Sequence, residues 1–169
     1  EYTMLCSQLK DIYPDYLLDR SILINNVHEL KVNGFKLATA SEYFKGLLKD
    51  IRLKELEQSK TIEEKEAEAK KTVSRRTRTR SLSEIEAESL KINYDDPVGL
   101  ELALLFAHTV GDEKYNTNYK SNLNKDNVAA VIKASIRFQM PALSKCCFEF
   151  ICDDLKKENF WFYWKLSKE

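Results

Sequence analysis

The side chains able to do covalent or metal chemistry are few: Cys6, Cys146, Cys147 and Cys152, with His28 and His108 as the two histidines. A structural zinc site needs paired Cys or His ligands in short steps, and a disulfide framework needs cysteines spread through a small secreted chain. The spacing here fits neither. The adjacent pair Cys146-Cys147 in an apolar helical run has the character of core, so we expect no metal and no other cofactor. His28 shares a strand face with Leu30 and Val32, which predicts a half-buried histidine at a sheet edge. Two histidines leave almost nothing from which to build a Cys/His nucleophile pair or an acid–base centre, and G-x-S-x-G, P-loop and G-x-G-x-x-G patterns are absent. We expect no catalytic residue and no enzymatic function.

Modification chemistry has one strong location. Between Lys70 and Arg80 six cations occur without an anion, interleaved with hydroxyl residues and followed by Ser81-Leu82-Ser83. This resembles a substrate for basic-directed kinases. A phosphate on Ser81 or Ser83 would have arginines within reach for charge-assisted hydrogen bonds; the plainer alternative is a solvated linker. The run belongs to the stretch 51–91, in which 20 of 41 residues are charged and Gly, Pro and aromatic residues are all missing. So little apolar surface cannot offset the entropy of ordering, which predicts a disordered or loosely helical insertion in a single domain spanning 1–169, with a solvated helix suited to its acidic half 61–71, where good helix formers and Glu-to-Lys pairs such as Glu66 with Lys70 occur.

Flanking elements follow from periodicity. Tyr2, Leu5, Leu9 and Ile12 fall at helical spacing on a helix ended by Pro14, an apolar stripe that suggests a partner surface. Two β runs, 21–24 and 27–32, flank Asn25-Asn26, a pair suited to a two-residue hairpin turn. A helix is expected from Leu37 through Phe44, Leu47, Leu48 and Ile51, with Ser41 placed to cap. A short strand at 90–94 precedes Asp96-Pro97, a strong helix start, and 97–110 is apolar on nearly every side. A loop to Asn124 and helices near 125–138 and 141–155 lead to five consecutive aromatics, Phe160 to Trp164. Phe160 and Trp164 are expected to pack inward, leaving Trp161 and Tyr163 for a partner; the alternative is an ordinary domain-ending helix.

Composition narrows the partners. With 27 Lys/Arg against 27 Asp/Glu the formal charge is +0, which argues against a nucleic-acid binder. No apolar run approaches the ~20 residues of a membrane span, and the start lacks the layout of a signal peptide, so neither a membrane nor export is expected, and the cytosol or nucleus is.

Leu30 to Phe44 resembles the BTB/POZ family pattern F-x-x-H-R-x-x-L-A-x-x-S-x-Y-F, with Leu37, Ala38, Ser41, Tyr43 and Phe44 at its Leu-Ala, Ser and Tyr-Phe. Leu100 to Thr109 is similar to its F-x-x-L-L-x-Y-x-Y-T helix, and 127–159 resembles its C-terminal helices. Two positions depart: the usual His-Arg is Asn33-Gly34, and the Tyr-Thr-Gly is His108-Thr109-Val110-Gly111. The resemblance implies an α+β BTB/POZ fold, a short three-stranded sheet with a cluster of helices. It implies a homodimer whose interface takes Tyr2, Leu5, Leu9 and Ile12 with Leu37, Ala38, Ser41, Tyr43 and Phe44. It further implies an adaptor that binds a cullin scaffold of a ubiquitin ligase through Tyr94 and Asp96, with Trp161 and Tyr163 as further partner contacts. Asp96 is also explained as a helix cap. The alternative function is a self-associating scaffold or regulatory domain without a ubiquitin-ligase link.

Overall fold

The computed structural model of the chain describes residues 17–72, 89–111 and 119–168. Arg20–Ile24 (β1) and His28–Val32 (β2) pair antiparallel, with Ile22 opposite Leu30 and Ile24 opposite His28. Asn25 and Asn26 have φ of 51° and 57°. These are the left-handed conformations a tight hairpin turn demands, and asparagine adopts them at less cost than most residues. Leu90–Ile92 (β3) lies parallel to β1 on its other side, so the order is β2-β1-β3. Ile22, Ile24, Leu30, Val32, Leu90 and Ile92 are buried, as period-two alternation directs. With six α-helices among the described residues the class is α+β, as expected. His28, expected half-buried, is instead exposed, because it sits where β2 leaves the turn.

One helix was expected from Leu37 to Ile51, and two are present: Gly34–Ala40 (α1) and Glu42–Thr72 (α2). Ser41 separates them with extended backbone at φ −144° and ψ 122°. It still caps, since its Oγ accepts from the Phe44 amide at 3.1 Å. The same hydroxyl donates to the carbonyl of Phe138, which ties the joint to a distant corner. In the charged segment beginning at Ile51, α2 runs through to Thr72, which is the helical alternative expected for its acidic half. Ile51 is buried, and the Glu55 carboxylate receives the Arg20 guanidinium at 2.7 and 3.5 Å. At its other end the segment overlaps β3, where Leu90 is buried. The expected boundaries therefore cut into the folded domain on both sides.

Pro97–Thr109 (α3) runs through the core, with ten of its 13 residues buried. A 3₁₀ turn at Tyr119–Asn122 follows, then Val128–Arg137 (α4), Pro141–Asp154 (α5) and Phe160–Leu166 (α6). Tyr119 lies inside the stretch expected to be a polar loop, yet it is buried, and its hydroxyl donates to the Leu102 carbonyl at 3.0 Å. α3 and α4 approach closely: a Cβ at Gly99 would lie 2.5 Å from the Ala130 carbonyl oxygen, so only glycine fits. α4 ends with Gln139 at φ 50°, its amide donating to the Ile136 carbonyl and the Met140 amide to that of Ser135. This is a Schellman closure, and it turns the chain into Pro141, the first residue of α5.

Ser41→Ala removes both a cap acceptor and the donor to a buried carbonyl. We expect stability to fall by about 2 to 3 kcal/mol. Urea unfolding should show the midpoint lowered with the slope unchanged; a loss below about 0.5 kcal/mol would mean that this joint does not hold the two helices in place.

Candidate interaction surfaces

Phe138, at the end of α4, gathers rings that the sequence reading assigned to two different surfaces. Phe44 stacks on it at 5.3 Å and 20°, Tyr43 meets it edge-on at 5.5 Å, and Tyr94 lies tilted at 5.2 Å. Tyr43 and Phe44, expected at a dimer interface, therefore join Tyr94, expected at a partner surface, in one aromatic cluster around the buried Phe138. Leu37, Ser41 and Phe44 are 0 to 2% exposed, so they are core residues of the single chain and have no surface to offer. The reason is the break at Ser41, which turns α1 so that Leu37 points to the core. Ala38 and Tyr43 remain half-buried.

The outward residue of α1 is one the sequence reading missed. Phe35 is 77% exposed and shares a face with Ala38 and Thr39, three and four residues on. Its signal was available: in a helix starting at Gly34, Phe35 falls two residues from the inward Leu37. Nearby, the Asn33 amide group donates to the Leu17 carbonyl at 3.0 Å, and Leu17 is itself 39% exposed. Tyr2, Leu5, Leu9 and Ile12, with Ser81 and Ser83, lie outside the described residues.

At the corner between β3 and α3 the structural duties are explicit. Asp96 caps α3, its Oδ1 accepting from the Gly99 amide at 3.0 Å. The Asn25 side chain pairs reciprocally with the backbone of Tyr94, both hydrogen bonds at 2.9 Å, so the hairpin turn extends the hold of β1 on this corner. Burial, and next the Asp96 carboxylate, raise the Tyr94 hydroxyl pKa above its ordinary value. Beside the cap, Asp95 is exposed and Val98 is 47% exposed.

The inward face of α6 is the reverse of the expected one. Tyr163 is buried, and its hydroxyl donates to the Asp154 carboxylate at 2.7 Å, while Asn159 donates to the same carboxylate at 2.9 Å and to the Asp154 carbonyl at 2.7 Å. Burial first, and then the Asp154 bond, push the tyrosine up to about 12. Asn159, Tyr163 and Leu166 make the inner stripe, so Tyr163 is no partner contact. Phe160 and Trp164, expected inside, are 44% and 48% exposed and stack on each other at 6.2 Å. Trp161 is 68% exposed, as expected. The carboxylate acceptor on α5 selects the one aromatic with a hydroxyl, a preference that apolar spacing does not encode.

The shifted titratable groups have structural causes. His108 is fully buried; its Nε2 accepts from the Asn33 amide at 3.0 Å, and its Nδ1 lies 2.7 Å from the Leu104 carbonyl. It is therefore neutral with the proton on Nδ1, and burial lowers its pKa to about 4. Burial also raises Tyr119, and lifts the Cys147 thiol to about 12, which leaves that sulfur inert. Among the described residues no three His, Cys, Asp or Glu side chains converge as a metal site. An open groove of about 720 Å³ runs along α5 past Phe148, but its Lys120 is already engaged by Glu149 at 3.1 Å and Asp153 at 3.6 Å. No protein-family model, curated protein or solved structure matches the chain.

The histidine gives a pH test. Unfolding returns it to an ordinary pKa near 6.5, so the unfolded chain binds the extra proton between there and about pH 4. The stability it contributes is complete above pH 6.5 and is lost as pH falls toward 4, by on the order of 3 kcal/mol. Urea titrations of wild type and His108→Gln at pH 7 and pH 4 should differ by that amount in their pH dependence. Equal slopes would show that His108 is not held neutral.

Proposed function

We propose that this chain is a BTB/POZ-type protein–protein interaction domain that homodimerises and serves as an adaptor between a partner and a cullin-type ubiquitin ligase. The observation that carries the reading is Phe35. A phenylalanine 77% exposed on a short helix whose next turn is core serves its own chain poorly and suits a second copy. It stands at the start of α1, two residues after Asn33, whose side chain donates to the Leu17 carbonyl. Support for the family comes from the hairpin, the Ser-centred helix pair and the buried α3 following the order of the matched runs. The two departures from the family pattern also meet, since the Asn33 amide donates to His108.

The cullin link rests on the β3–α3 corner, with the exposed Asp95 and Val98 beside the Asp96 cap. The self-associating scaffold without a ligase link is favoured by one observation: Asp96 and Tyr94 each already serve the fold, as a cap and as part of the Phe138 cluster.

Sedimentation equilibrium should find a dimer. Phe35→Asp should weaken it by at least about 30-fold with an unchanged circular dichroism spectrum. A wild-type monomer at ~50 μM would sink the dimer, since such a weak contact is below any working interface. Titration with a cullin N-terminal domain should then give micromolar or tighter binding that Asp95→Lys with Val98→Glu abolishes. Absence of binding by an intact dimer leaves the scaffold reading in place.

A further inference from the structure

The outer side of α6 has a chemistry of its own. At 100° per residue, Trp161 and Lys165 project roughly 160° away from the buried Tyr163, and Trp164 roughly 100° away. Phe160, Phe162 and Leu155 flank them, 43 to 47% exposed. Over residues 155–168 there are four lysines, Lys156, Lys157, Lys165 and Lys168, all exposed, against the single exposed anion Glu158. None of the four makes an ion pair among the described residues; Lys168 instead lies over the Trp164 ring at 4.8 Å. Asp154 is turned inward to Tyr163 and Asn159. Four lysines thus accompany the exposed aromatic residues along this stretch of chain, with Glu158 and, next in sequence, Glu169 as its acidic residues.

We propose that this face of α6 binds the surface of an anionic phospholipid bilayer. No helix among the described residues is long and apolar enough to cross a membrane, so the contact is peripheral. Two features favour lipid over a protein. Protein interfaces deplete lysine from their centres and seat aromatic anchors in matching pockets, whereas here the exposed Lys165 and Lys168 stand beside the exposed Trp161 and Trp164. The bilayer interface accepts both: indole rings settle at headgroup level, and lysine stems lie along the acyl boundary with their ammonium groups on lipid phosphates. This inference does not depend on the dimer or on the cullin link.

Trp161 and Trp164 are the only tryptophans in the chain, so tryptophan emission, excited to the red of tyrosine absorption, reports on this face alone. With vesicles of phosphatidylcholine containing about 30 mol% phosphatidylserine, we expect a blue-shifted emission and co-sedimentation, both absent with pure phosphatidylcholine and both reversed by about 0.5 M salt. Lys165→Gln with Lys168→Gln should lower the partition coefficient by roughly 25-fold, about fivefold per lysine. Trp161→Ser should abolish co-sedimentation while the circular dichroism spectrum is unchanged. Three results would overturn the proposal: no shift with anionic vesicles at low salt, equal binding to neutral vesicles, or emission already blue-shifted without lipid in a concentration-dependent way. The last would mean that a second copy of the chain covers the face.

Discussion

A helix that is apolar on nearly every side has to be wrapped, and α3 sets that requirement for the rest of the molecule. Leu100, Leu102, Leu104, Leu105 and Phe106 point in several directions, so no single layer covers them. α4 comes close enough to exclude any side chain at Gly99, and Tyr119 closes over the middle with a hydroxyl bound to Leu102. The polar groups at the C-terminal end need partners in the same dry space. Thr109 returns its hydroxyl to the Leu105 and Phe106 carbonyls, and His108 spans from Leu104 to the amide of Asn33. Asn33 in turn caps α1 through the Lys36 amide, so the position of the helix carrying Phe35 is set from the core outward.

The second organising point is the joint at Ser41. One hydroxyl starts α2 and holds the carbonyl of Phe138, while the Phe138 ring collects Tyr43, Phe44 and Tyr94. Helix start, helix end and strand exit converge there, so the aromatic residues of these three elements are drawn inward. Among the described residues the aromatics left outside are Phe35 on α1, Phe148 on α5, and Phe160, Trp161, Phe162 and Trp164 on α6. The exposed aromatic surface is thus defined by subtraction from a core that takes more rings than periodicity alone assigns to it.

What was legible in the sequence was local chemistry. Asn25-Asn26 announces a turn with positive φ, Asp96-Pro97 a helix start, and Ser41 a cap, because each depends on a few neighbouring atoms. What was not legible was where those elements meet. Leu37 and Phe44 look alike as an interface stripe or as core until the break at Ser41 fixes their direction. Tyr163 was misassigned for a similar reason: its partner, Asp154, lies on another helix and is chosen by a hydroxyl rather than by apolar spacing. Tyr119 hid in a polar run because one long aromatic suffices to plug a gap without any period around it.

The charged segment shows a different limit. Its composition sets it apart from the aromatic-rich remainder of the chain, although Ile51 and Leu90 at its two ends belong to the core. An apolar stripe does not separate a solvated helix from a chain without regular structure, since neither has one; over 61–71 the signal is instead helix propensity and Glu-to-Lys spacing. α2 continues to Thr72, on the order of 46 Å from its start at 1.5 Å per residue. It leaves the core with Ile51 and is held to β1 by the Arg20–Glu55 pair. Past that point the sequence turns to Ala, Glu and Lys with Glu66 and Lys70 spaced for pairing, which are the properties that sustain a helix without tertiary support. A helix already nucleated and anchored over its first turns avoids the cost of nucleation, so each further residue adds only a propagation step. The folded domain therefore extends into the charged segment by as far as its anchored helix can be propagated.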